Sequence, residues 1–141
     1  MPPIITVRNL QRVVKLDLAA LEDFAPRALN RCLALTPGKG TLSSLPRVDV
    51  LLISDRRISR LHRQFQQIAG PTDVITFQHG EIFISAQTAR RQATEFGTST
   101  LGELKLYLLH GLLHLHGFDD KTEADKARME QAQSRILRAL G

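Results

Sequence analysis

His110-Gly111-Leu112-Leu113-His114-Leu115-His116-Gly117-Phe118-Asp119-Asp120 sets the architecture of this chain. Two histidines four residues apart lie in an apolar run that ends in a glycine and an acidic pair. On an α-helix each residue advances ~100°, so His110 and His114 fall on one face, one turn apart. Their Cβ atoms are then roughly 5–6 Å apart, which lets two imidazoles converge on one metal ion. Gly117 is a helix stop, and the chain beyond it can turn back to offer Asp120 as a third ligand. Two His and one carboxylate with an open fourth position form a catalytic zinc set, although iron and nickel accept the same donors.

Outward from this segment, residues 101–115 are apolar nearly all round, the pattern of a central buried helix. Residues 122–140 form the last helix. Upstream, residues 4–7 read as a short β-branched strand, and residues 17–35 carry Leu18, Leu21, Phe24, Ala25, Ala28 and Leu29 at helical spacing. Residues 36–46 are a loop rich in Pro, Gly and Ser. Residues 47–54 are a strand. Ser54 or Asp55 then caps a helix with Ile58, Leu61 and Phe65 on one side, broken at Ala69-Gly70-Pro71. Residues 73–77 and 81–84 are strands joined by Gln78-His79-Gly80 as a hairpin. Ser85 caps a helix that runs to about Phe96, and residues 97–100 are a loop. The order β-α-β-α-β-β-α-α-α predicts an α+β domain over residues 1–141. Helices would pack around the metal-binding helix on a mixed, mostly parallel sheet of about four strands.

The chain has 141 residues, 43% of them hydrophobic and 23% charged, ordinary values for one globular domain. The most apolar stretch is too short to span a membrane and contains Lys105 and two histidines. No secretory leader pattern opens the sequence, and the single Cys32 has no partner for an internal disulfide. These features fit a reducing cytoplasm. The net charge is +5, with Arg the main basic residue. Arg donates bidentately to phosphate, which makes RNA or another polyanion a natural partner.

Three motifs together resemble the YbeY family of bacterial endoribonucleases. The family pattern H-G-x-L-H-L-x-G-[FY]-D-H is similar to residues 110–120. P-T-D-V-L-S-F is similar to Pro71-Thr72-Asp73-Val74-Ile75-Thr76-Phe77, and G-D-[IL]-x-I-S to Gly80-Glu81-Ile82-Phe83-Ile84-Ser85. The resemblance covers Val48 to the C-terminus. It implies a zincin-like fold and metal-dependent cleavage of single-stranded RNA. It also implies action on precursor rRNA, at the 3′ end of small-subunit rRNA and in ribosome quality control; the oligomeric state is left open, with a monomer the favoured expectation. One Zn2+ per chain would be held by His110, His114 and the residue in the third ligand place. That residue is Asp120 here, where the family has His. The family arginine of N-x-x-[YF]-R falls on Gln66, and the asparagine on His62.

Several residues have two readings. His110 belongs to the metal and catalytic sets, against a core histidine with local hydrogen bonds. Asp120 is either the third ligand or the N-cap of the last helix, since Asp120-Lys121-Thr122-Glu123 is a capping box. Asp119 suits a turn. His116, two residues beyond His114, points off the ligand face toward the surface, and His79 is a polar loop residue. Arg56, Arg60 and Arg63 recur at i, i+4 and i+7, as a solvated face or as a stripe that tracks RNA phosphates. Arg63 lies one turn before Gln66 and could replace the family arginine in catalysis. Thr72, Asp73 and Ser85 either line the cleft or serve turns and caps.

Three function classes follow: an endoribonuclease, a ribosome-associated RNA-binding factor with the same fold and no catalysis, and a metalloprotease. The last is disfavoured, because the glutamate base of H-E-x-x-H is replaced by Gly111.

Overall fold

A computed structural model describes residues 1–36, 40–68, 70 and 72–141. The expected Pro37, Gly38 and Lys39 of the loop, and Ala69 and Pro71 of the helix break, lie outside the described residues. The elements follow in the order β1 (Ile4–Asn9), α1 (Leu18–Leu33), β2 (Arg47–Ile53), α2 (Asp55–Gln66), β3 (Val74–Phe77), β4 (Glu81–Ser85), α3 (Ala86–Phe96), α4 (Thr100–Leu115) and α5 (Glu123–Leu140). The loop after α1 contains one 3-10 turn, Leu42–Ser44.

Side-chain caps set the helix starts. Asp17 accepts from the Ala20 N–H at 3.0 Å, Ser54 from Arg57 at 3.2 Å, Ser85 from Thr88 at 3.1 Å and Ser99 from Gly102 at 2.9 Å. Each satisfies an N–H that has no partner within its own helix. Pro26 sits inside α1 without ending it.

The sheet order is β1-β2-β4-β3. β1 pairs parallel with β2 and β2 parallel with β4, while β3 closes the edge antiparallel to β4. This is the mixed, mostly parallel four-stranded sheet that the pattern predicts. Side chains alternate across a strand, and the two faces carry different helices. Val48, Val50 and Leu52 of β2, with Ile82 and Ile84 of β4, join α1, α4 and α5 in the larger core. Leu51, Ile53, Ile75 and Phe83 point the other way and pack with Ile58 and Leu61 of α2. The sheet therefore lies between α2 and α4. Among the described residues no helix is long and apolar enough to cross a membrane.

Candidate metal centre

Gly111 explains how α4 reaches its place. A Cβ added there would lie 2.7 Å and 2.9 Å from the Cγ2 and Cδ1 atoms of Ile82. Only a residue without a side chain lets the helix backbone rest this closely on β4. The same contact leaves no room at this position for the side chain of a glutamate base. Gly111→Ala is expected to destabilise the fold by about 1–3 kcal/mol through overpacking. A lower denaturant midpoint would show this, and an unchanged midpoint would mean that helix and strand are not in such contact.

α4 presents His110 and His114 on one face, both half-buried. The His110 Nδ1 lies 2.7 Å from Oε1 of Gln133 on α5. An amide oxygen only accepts, so Nδ1 donates, and in the neutral imidazole that tautomer leaves the lone pair on Nε2. Metal-binding histidines are oriented by this kind of partner. His114 is held below its ordinary pKa, first by burial and then by the proximity of His110, against the opposing charges of Asp120 and Asp119. It is therefore kept as the neutral imidazole, the form that binds a cation. The donor chemistry of this pair fits a divalent metal.

Asp120 is exposed and does not cap α5. Thr122 is the cap, and its Oγ1 accepts from the Asp125 N–H at 3.0 Å. The capping role expected of Asp120 is corrected accordingly. Thr122, with φ −117° and ψ 163°, holds the extended backbone that an N-cap needs. Asp119 accepts from the Lys121 N–H at 3.3 Å, the expected turn role. Asp120 acts on His114 through its charge. Among the described residues, however, no three His, Cys, Asp or Glu side chains are gathered closely enough to hold a metal ion. The structure thus brings His110 and His114 together and leaves Asp120 nearby but outside the pair.

His116 also departs from expectation, being only 3% exposed. It is the C-cap of α4, where helical facing no longer applies, and its Nε2 lies 3.1 Å from the carbonyl oxygen of Leu35. Leu35 belongs to the segment after α1, which folds over the end of the motif.

Arg56, Arg60 and Arg63 lie along the exposed side of α2, as the stripe predicts. Their helix packs on the opposite face of the sheet from α4, so a catalytic role for Arg63 gains no geometric support. Gln66 is the exposed last residue of α2, while His62 is buried with Nδ1 3.0 Å from the Gly70 carbonyl. Asp55 anchors the start of α2 to α3, accepting from Ser85 at 2.6 Å, Thr88 at 2.8 Å and Arg91. Burial pushes the Asp55 pKa up, but these hydrogen bonds prevail and hold it below the usual value. Ser85 is therefore structural. Thr72 donates to Asp73 Oδ1 at 3.4 Å, and the same oxygen accepts from the Val74 N–H at 2.8 Å. Asp73 also acts on α4: after burial and Glu103, its charge helps raise the Tyr107 pKa. Gln133 is the site residue that sequence reasoning missed. It lies 23 positions from His110, and no local pattern connects the two.

The family model described as Endoribonuclease YbeY matches residues 6–141. An Endoribonuclease YbeY from Symbiobacterium thermophilum is 35% identical, with 97% of each chain covered. One from Moorella thermoacetica is 34% identical over 80% of this chain and 85% of its own. The solution structure of a Thermotoga maritima protein superposes with a TM-score of 0.62, at 24% identity over 96% of this chain and 91% of that one, and so shares the fold. With the motif helix seated on the sheet and the match running nearly end to end, this chain belongs to the YbeY endoribonuclease family.

Proposed function

We propose that this chain is a metal-dependent endoribonuclease that cuts single-stranded RNA, working as one cytoplasmic domain on precursor rRNA at the small ribosomal subunit. The observation that carries this reading is the oriented His110–His114 pair on a buried helix of an endoribonuclease family fold. His110 and His114 would hold the ion, with zinc the expected metal and Asp120 the nearest carboxylate for a third donor. When bound, the ion supplies Lewis-acid polarisation of a phosphate and a nucleophile at neutral pH. The protein's own part is to orient His110 through Gln133, to keep His114 neutral by burial, and to hold the RNA backbone electrostatically through Arg56, Arg60 and Arg63.

A second reading, a ribosome-associated factor that binds RNA without cutting it, is favoured by two observations: Asp120 stands outside the pair, and Gln66 takes the place of the family arginine. Cleavage of a labelled single-stranded RNA before and after chelation separates the two. The expected result is cleavage that stops with a chelator and returns with added zinc. RNA binding with no cleavage at any added metal would favour the second reading.

A further inference from the structure

An aromatic groove lies on the face of the sheet away from the histidine pair. It is lined by Leu61 and Phe65 at the end of α2 and by Phe77, His79, Glu81 and Phe83 of the β3–β4 hairpin, and it measures about 220 Å³. Phe65 is 55% exposed. Its ring meets Phe77 edge-on, with centroids 5.1 Å apart and planes at 81°. Phe77 and His79 are stacked at 5.7 Å and 17°. The His79 Nε2 lies 2.6 Å from Oε1 of Glu81, which fixes the plane of an imidazole whose side chain is 67% exposed. The rings are thus held in place before any ligand arrives.

We infer that this groove binds one unpaired RNA base by stacking, a contact separate from the metal centre. It rests on the RNA reading proposed above. Two features select a base over a protein segment. First, four of the six lining residues, Phe65, Phe77, His79 and Phe83, present rings, and every nucleobase offers a π-face to them regardless of sequence. Second, the adjoining helix is strongly basic. Arg57 lies one turn from Leu61, and Arg60 and Arg63 continue the charge around α2. None of these three, nor Arg56, is in an ion pair among the described residues. A strand with one base in the groove can lay its phosphates across α2, as proteins that bind single strands do with aromatic and basic groups. The site anchors RNA and takes no part in bond cleavage.

The test is fluorescence anisotropy with two labelled oligonucleotides of about ten units, oligoadenylate and an abasic strand of equal charge. Phe65→Ala is expected to weaken oligoadenylate binding about tenfold and to leave the abasic strand unaffected. Phe65→Leu keeps the groove apolar but loses the ring. It should weaken binding similarly, and it covers the case in which Phe65→Ala misfolds. The Arg60→Ala/Arg63→Ala variant should weaken both strands and lower the salt slope by about 1.4. If both Phe65 variants bind oligoadenylate like wild type while the arginine variant does not, the groove is overturned and the RNA reading stands. If wild type binds neither strand, both are overturned. Sedimentation showing self-association that Phe65→Leu abolishes would assign the groove to a second copy of the chain and overturn the inference.

Discussion

His114→Ala is expected to lose its bound metal and to cleave RNA at least about a thousand-fold more slowly than wild type, because an ion that polarises phosphate contributes several kcal/mol to the barrier. The fold should survive. His114 is half-buried on a helix whose packing comes from its leucines and from the contact of Gly111 with β4. Gln133→Ala supplies the graded comparison. It removes only the acceptor 2.7 Å from His110 Nδ1, and losing an outer partner of this kind lowers metal affinity or activity about 10- to 100-fold. Metal analysis beside single-turnover cleavage reads both variants. Wild-type rates in His114→Ala would remove the histidine pair from the chemistry altogether.

Gly40→Ala is expected to disrupt backbone packing at the end of α4. A Cβ there would fall 2.1 Å from the carbonyl oxygen of Leu115, 2.3 Å from the His116 carbonyl carbon and 2.4 Å from the Gly117 nitrogen. These are backbone atoms at the end of α4, and no rotamer change can move them aside. The segment carrying Gly40 must lift away, breaking the 2.8 Å hydrogen bond from the Thr41 N–H to the Leu115 carbonyl. Overpacking of this order costs about 1–3 kcal/mol, a fall of about 3–12 °C in midpoint for a chain of this size. A thermal melt reads it, and an unchanged midpoint would mean that this segment does not strap the motif.

Period and capping made the elements legible. The leucines of α1, the β-branched run of β2, the Ser54 and Ser85 caps and the all-round apolar α4 are local signals, and each element stands where they place it. The His pair was equally local, since spacing alone puts both rings on one face. What failed to show depends on how distant segments meet. Nothing near Arg63 records that α2 packs on the sheet face opposite α4. Nothing near Gln133 records that its amide meets His110. His116 was placed at the surface by helical facing, which ends at the C-cap, and the segment after α1 then buries it. At the start of α5 two residues could cap, Asp120 and Thr122, and it is Thr122 whose Oγ1 accepts from the Asp125 N–H. That outcome leaves Asp120 exposed and outside the His110–His114 pair.

Anomalous diffraction from crystals of the zinc-loaded protein is the most direct test of the metal centre. The expected result is one zinc peak about 2.0–2.1 Å from Nε2 of both His110 and His114, with Nδ1 of His110 still bonded to Gln133. A protein that cleaves RNA while zinc binds elsewhere, or not at all, would contradict the assignment of this pair.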